Sequence, residues 1–433
     1  MERYEAYKDS GVEWIGEIPE CWDIRRIKGS CAVVAGATPK SDSSDYWNGS
    51  IPWITPADYS EEQHYVAGGS RFITKQGLDS CGTVLVPEGS VIVSNRAPIG
   101  LVSIASRPLC TNQGCKAIIP VDDCVSSEYL YWYLLTQSES LNSLGRGTTF
   151  LELSTQSLSD FSFPCPSRDE QGVISEFLDV EVAKIDGLVA DCEREVELLQ
   201  EYRKAVISEA VTKGLDPNVP MKDSGVEWIG RIPEGWSILY PKKLFALRKE
   251  RAYPNDVQLT ASQKNGIVTQ NEYMRLENQR VVQVITGNDI LKHVEAGDFV
   301  ISMRSFQGGL EYSTICGKIS SAYVMLYAID RSFICDEYYK YLFKSDEYIQ
   351  ALQSTSNLVR DGQALRFSNF VQVYLPVPSV AEQQRIAQYL SIKTAEIDSL
   401  IEMKQQMADK LREYRKSLIS EAVTGKFKVP GVD

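Results

Sequence analysis

A long helical pattern occurs twice in this 433-residue chain, and that duplication limits what the chain can fold into. Residues 163–212 and 375–424, aligned at a fixed offset of 212, agree at 22 of 50 positions. Glu201-Tyr202-Arg203-Lys204 returns as Glu413-Tyr414-Arg415-Lys416, and Ile207-Ser208-Glu209-Ala210-Val211-Thr212 as Ile419-Ser420-Glu421-Ala422-Val423-Thr424. In the first copy, Leu178, Val182, Ile185, Val189, Cys192, Val196, Leu199, Val206 and Ala210 keep a 4-3 spacing. Leu390, Ile397, Ile401, Ala408, Leu411, Leu418 and Ala422 do so in the second. Such a seam lets a helix bury one narrow stripe against another helix. Neither copy contains an internal proline over about 45 residues, enough for a rod of roughly 65 Å. Arg203 and Arg415 fall at equivalent core-type positions, and Thr394 and Lys404 interrupt the second copy. Two rods of equal length in one chain most simply pair with each other, and an imperfect seam disfavours a free-standing homodimeric zipper. Antiparallel pairing is expected, because parallel pairing needs the chain between them to run back the whole rod length.

Each rod has the same entrance. Phe163-Pro164-Cys165-Pro166-Ser167 and Leu375-Pro376-Val377-Pro378-Ser379 stiffen the approach. Ser167 with Glu170, and Ser379 with Glu382, have the spacing of a capping box. Gly214-Leu215-Asp216-Pro217 stops the first rod and leads into the second unit. A second repeat opens each unit: residues 7–22 return at 221–236 with 13 of 16 identical. There Trp14, Ile15 and Trp22 are apolar anchors for a docked turn.

Between these shared pieces the two middles have nearly equal length and little common sequence. Both contain a turn, a strand and an arginine at the strand end, in 87–96 and 295–304, which places Arg96 and Arg304 alike. Strand-like runs recur at 101–105, 115–119, 281–285 and 323–328, and short helices at Ser127–Leu135 and Asp336–Lys344. The expected fold is therefore α+β. Two mixed α/β domains, 1–166 and 215–378, alternate with a central long helix in 167–214 and a C-terminal long helix and tail in 379–433. An antiparallel intramolecular coiled coil would relate the halves by a pseudo-twofold axis, with one domain at each end.

Composition excludes several classes. No stretch approaches 18 uninterrupted apolar residues, so no membrane span is expected, and Met1-Glu2-Arg3-Tyr4-Glu5 lacks a signal-peptide core. A cytoplasmic protein with reduced thiols follows, since its ten cysteines lack metal-type spacing. His64 and His293 are its only histidines, too few for a histidine-based metal or catalytic site. Glu61-Glu62 and Asp122-Asp123 lie in polar stretches and read as solvated loop charges. There is no Gly-rich cofactor turn after a strand, no phosphate loop and no Asn-Pro-Pro-Tyr-type stretch, so no catalytic role is expected. The net charge of −13 argues against tight DNA binding by charge alone. The acid excess, however, lies in residues 1–214, which leaves room for local basic faces.

These capped Pro-Xaa-Pro-Ser helices, with their Glu-Tyr-Arg-Lys and Ile-Ser-Glu-Ala-Val-Thr ends, resemble the specificity subunit of type I restriction–modification systems. So do Lys8–Gly16, Gly36-Ala37-Thr38-Pro39, Tyr46–Trp53 and Asn95-Arg96-Ala97-Pro98-Ile99-Gly100. The second middle lacks the Tyr-Trp…Ile-Pro-Trp stretch and the Ala-Pro-Ile-Gly run. The resemblance implies two target-recognition domains, each reading half of a split DNA sequence, with the helices as a ruler for the unread gap. It further implies two adenine methyltransferase subunits and ATP-dependent restriction (motor) subunits as partners. S-adenosylmethionine, ATP and magnesium would belong to those partners, leaving no cofactor or metal in this chain.

Base reading needs donors and acceptors that reach groove edges, and positioning needs phosphate contacts. Candidates in the first domain are Thr38, Lys40, Tyr46, Asn48, Asn95, Arg96, Asn112, Gln113, Arg146, Thr148 and Thr149. In the second they are Gln263, Lys264, Asn265, Arg304, Ser305, Gln307, Arg360, Asp361 and Gln363. Arg96 and Arg304 stand out because both strands deliver them to one place. The alternative function is a non-DNA coiled-coil adaptor that holds two ligand-binding domains.

Overall fold

The computed structural model describes residues 2–60, 63–146, 151–278, 290–302, 305–355 and 365–432. It divides into two compact units: residues 1–192 with 406–433, and residues 193–405.

In the first unit a hairpin of β1 (Tyr7–Asp9) and β2 (Glu17–Pro19) leads to β3 (Asp23–Arg26). The central sheet has five strands, β4 (Cys31–Ala35), β11 (Cys115–Pro120), β8 (Val91–Ser94), β9 (Val102–Ala105) and β6 (Tyr65–Val66), in that spatial order. A three-stranded sheet of β10 (Cys110–Thr111), β5 (Trp47–Ile54) and β7 (Arg71–Ile73) continues from it. All four residues of β8 and of β9 are buried, as expected of central strands covered on both faces. Helix α1 (Ser127–Leu135) buries Tyr129, Leu130, Tyr131, Trp132, Tyr133 and Leu134 against that sheet and the long helix. Strand β12 (Ser162–Cys165) pairs with β3 and hands the chain to α2 (Arg168–Lys213), 46 residues long.

The second unit repeats the plan. Its hairpin is β13 (Met221–Asp223) with β14 (Arg231–Pro233), followed by β15 (Ser237–Leu239). Its main sheet runs β16 (Phe245–Arg248), β23 (Val324–Ala328), β20 (Phe299–Ile301), β21 (Glu311–Tyr312). The hairpin of β17 (Leu259–Ser262) and β18 (Gly266–Thr269), and the pair β19 (Lys292–Val294) and β22 (Gly317–Ile319), stand beside it. A one-turn α3 (Ser305–Gly308) follows β20, and α4 (Asp336–Leu342) takes the place of α1. Strand β24 (Leu375–Val377) pairs with β15, as β12 does with β3, and precedes α5 (Val380–Val423), 44 residues long. The expected strand at 281–285 lies outside the described residues.

Within each unit the two long helices run antiparallel. In the first, the ring of Phe177 lies 6.2 Å from that of Phe427, and Asp186 meets Arg415 at 2.8 Å. In the second, Glu195 meets Lys404, and Asp398 holds Arg203 by two bonds of 2.8 and 3.2 Å. As one number rises the other falls, which fixes the direction. The arginines that interrupt the apolar seam are thus one ion pair made twice, at the 212 offset. Of the other two interruptions, Lys404 is the one that meets Glu195, and Thr394 is buried and donates its hydroxyl to the Leu390 carbonyl at 2.7 Å. Leu178, Val182, Ile185, Leu390, Ile397 and Ala408 of the expected seam are all buried.

The helix entrances depart from the expected capping box. Ser167 and Ser379 Oγ do accept from Glu170 N and Glu382 N, at 3.2 and 3.3 Å. The Glu170 carboxylate, however, takes the Tyr4 hydroxyl at 2.6 Å and the Trp22 indole at 3.1 Å. It ties the head segment down instead of closing the box. Glutamines that the sequence did not single out do the locking. Buried Gln171 accepts from Ser126 N at 2.8 Å and donates to the carbonyls of Cys124 and Pro166. Gln383 repeats this with Cys335 N, Phe333 and Pro378. Tyr129 and Tyr338 donate to Val423 and Val211, both at 2.8 Å, and so satisfy carbonyls at helix ends that have no helical partner. Past those ends Gly214 and Gly425 adopt φ of 78° and 68°, and a Cβ at Gly425 would meet Pro19 at 2.5 Å.

The candidate DNA-contacting site

The central sheet of the first unit ends in four loops on one side. Ladder bonds place them: Gly36 N donates to Cys115 O, Asn95 N to Gly114 O, and Leu153 N to Asn95 O. The end of β4, the end of β8, the start of β11 and the segment around Glu152 therefore meet. Of the expected residues, Thr38, Asn95, Arg96, Asn112, Gln113 and Arg146 all lie there.

Their roles differ. Thr38 and Gln113 hydrogen-bond through their side chains. Asn112 Oδ1 accepts from Gly114 N at 2.8 Å, an Asx turn that shapes its own loop. Arg96 and Arg146 are exposed. Asn95 is 0% exposed and cannot reach a groove edge as it stands; its Nδ2 donates to Glu152 at 3.1 Å. Arg96 Nη2 meets the other oxygen of Glu152 at 3.2 Å, and Arg146 and Glu152 exchange backbone bonds of 3.1 and 3.0 Å. Thr148 and Thr149 lie outside the described residues.

The Trp-containing stretch is structural underneath and polar on top. Trp47 and Trp53 are buried and donate their indoles to the carbonyls of Lys40 and Ala37, at 3.1 and 2.9 Å. Those bonds pin the 37–40 segment and leave Lys40 exposed, with Tyr46 half-buried. Asn48 is exposed with φ of 61°, a left-handed conformation that asparagine tolerates.

Two groups were missed by the sequence reading. Arg71 lies 3.5 Å over the Trp47 ring and 5.7 Å from that of Trp53, a cation–π contact in which the guanidinium stays exposed. Its signal was faint, since only the β5–β7 register brings it to the tryptophans. Lys116, in the middle of an apolar run, is 5% exposed. Burial pulls its ammonium below the usual lysine range; Glu152 acts against this and Arg96 with it. A lysine inside a strand of Cys, Ala and Ile was the available signal.

In the second unit, exposed Gln263 and Lys264 form the turn between β17 and β18. The Gln263 side chain lies against Gly308, so that turn abuts the helix bearing exposed Gln307. Lys344 Nζ also reaches Gln263 O at 3.4 Å. Asn265 is turned inward to Glu277 at 3.0 Å. Ser305 is buried, its Oγ accepting from Ser302 N at 2.8 Å, so it shapes the start of α3 and does not face outward. Arg304, Arg360, Asp361 and Gln363 lie outside the described residues.

The two histidines and the Cys110 and Cys115 thiols are held in packing contacts. The His64 ring stacks between Tyr65 and Tyr131, with centroids 4.5 and 4.0 Å away, and its Nε2 meets Glu128 at 2.9 Å. His293 is buried between Asp256 at 2.7 Å and Glu295 at 3.0 Å. Burial alone would lower its pKa, and the two carboxylates reverse that and raise it. The Cys110 and Cys115 thiols are pushed up by burial to about 11 and about 12, which keeps them protonated and inert. Among the described residues no helix is long and apolar enough to cross a membrane.

Residues 19–190, within the first unit, match the family model of the type I restriction modification DNA specificity domain. The chain is 36% identical to the MjaIX specificity subunit of Methanocaldococcus jannaschii over 52% of its own length, and spans about half (51%) of that relative. It is 19% identical to the MjaVIII specificity subunit of the same organism, over 96% of this chain and 95% of that one. Its fold is similar to a structure of a type I R-M system, with a TM-score of 0.69, 13% identity, and coverage of 94% of this chain and 98% of that chain. The HsdS subunit of Thermoanaerobacter tengcongensis follows at a TM-score of 0.55, 14% identity and the same coverage. The curated relatives it matches are named as specificity subunits of type I restriction enzymes, and the chain resembles them in sequence over about half its length and in fold over nearly all of it.

Proposed function

We propose that this chain is the DNA sequence-recognition subunit of a type I restriction–modification complex, and that it reads a bipartite, asymmetric target with one domain per half-site. The observation that carries the proposal is the convergence of Thr38, Arg96, Gln113 and Arg146 on one end of the first unit's sheet, inside a DNA-specificity domain. Two units on one scaffold with unlike loops suit two half-sites of unlike sequence. The paired helices set the unread spacer. Two adenine methyltransferase subunits and the restriction subunits dock on this chain, and S-adenosylmethionine, ATP and magnesium are theirs.

Sequencing of methylated bases in cells that carry this chain with a methyltransferase partner tests the proposal. A split adenine-methylated motif that disappears when the chain is deleted is expected. Methylation by the purified chain alone, or a methylation pattern indifferent to the chain, would overturn it.

A further inference from the structure

A single carboxylate, that of Glu152, sits at the end of the first unit's sheet beside Asn95, Arg96 and the backbone of Arg146. Glu152 Oε1 accepts from Asn95 Nδ2 at 3.1 Å, and Oε2 meets Arg96 Nη2 at 3.2 Å. Its backbone is bridged to both Arg96 and Arg146. Lys116 lies on the adjacent strand β11, paired with Val93 of β8, and is 5% exposed; its side chain has no hydrogen bond or ion pair among the described residues. The Asn95 Oδ1 is buried and unpartnered. Arg96, Lys116 and Arg146 outweigh one Glu152, so a net positive charge remains at the end of the sheet.

A lysine whose stem is buried in a strand takes a place that an apolar residue would fill more cheaply. A carboxylate and a phosphodiester make the same demand on such a site: an anionic oxygen pair that accepts from a guanidinium and an amide. We propose that Glu152 holds the place of a DNA backbone phosphate in the free protein, and that a phosphodiester displaces it onto Arg96 and Lys116 when DNA binds. This inference rests on the proposed DNA-recognition function and adds two residues to its site. Glu152 closes the site until a phosphate competes for it, and Lys116 supplies the charge that the competing anion gains. Asn95, now covered, releases its amide to that anion once Glu152 leaves.

The test uses the full chain, with duplex DNA carrying the methylated motif and with a duplex lacking it, titrated by fluorescence anisotropy across a salt series. Glu152→Gln keeps the shape and an acceptor for Asn95 while removing the competing charge. It is expected to tighten binding to both duplexes about five- to tenfold at low salt and to steepen the slope of log K against log salt by up to about 0.9. Lys116→Gln is expected to weaken both several-fold and to flatten that slope by about the same amount. The double variant Glu152→Gln/Arg96→Gln is expected to lose the gain. Circular dichroism and melting temperature establish that each variant is folded. Unchanged or weaker binding by a folded Glu152→Gln chain overturns this inference alone and makes Glu152 a structural clamp. If the unsubstituted chain binds neither duplex at any salt concentration, the functional proposal falls with it.

Discussion

Single side chains in this protein act mainly by satisfying buried backbone groups, and their loss has a definite cost. Gln171 and Gln383 each answer one buried N–H and two carbonyls at the root of a long helix. Gln383→Ala leaves those groups stranded, and a loss of about 1–3 kcal/mol, read by urea denaturation, is expected. His293 adds a pH dependence to the second unit. Its folded pKa is raised, so the stabilisation it provides is complete below its unfolded value of about 6.5 and fades as pH climbs through the folded value. Melting temperature measured across that window should fall with rising pH, and His293→Gln should flatten the part of the curve owed to this group. A native chain without any such fall would refute the assignment.

At the level of elements, the long helices gain their stability from the apolar seam, and their cross-helix ion pairs define register. Leu390 is fully buried between the second unit's helices and head domain, so Leu390→Ala should cost about 2–5 kcal/mol in chemical unfolding. The Arg203–Asp398 pair is partly exposed, and a double-mutant cycle should return no more than about 1 kcal/mol of coupling. The asymmetry has a plain cause. Apolar burial removes water from a whole side chain, whereas a solvated ion pair exchanges one set of hydrogen bonds for another. The recurrence of Asp186–Arg415 and Arg203–Asp398 at the 212 offset shows that the pair was duplicated with the helix. A one-residue slip would break both pairs, which gives them a role in register beyond their modest energy.

For the whole molecule, the decisive property is that two heads of one plan carry different loops. Arg96→Ala should therefore weaken or relax one half of the methylated motif and leave the other half intact, as read by methylation sequencing. An effect spread evenly over both halves, or none, would count against one domain per half-site.

Much of this protein was legible as text because duplication writes the same constraint twice. The 212 offset, the proline-stiffened entrances, the seam and the antiparallel direction all follow from chain length, periodicity and turn chemistry. Tertiary packing alone decided the rest. It turned Glu170 away from its capping box towards Trp22, and it paired Arg203 and Arg415 across the seam. It buried Asn95 and Ser305, which local sequence presented as loop donors, and it gathered Arg71 and Lys116 into the site from strands that look merely structural. Period and turn signals are local, carried by residues a few places apart. Which charge meets which depends on segments a hundred residues distant in the chain, such as 35, 95, 116 and 152, that only sheet register brings together.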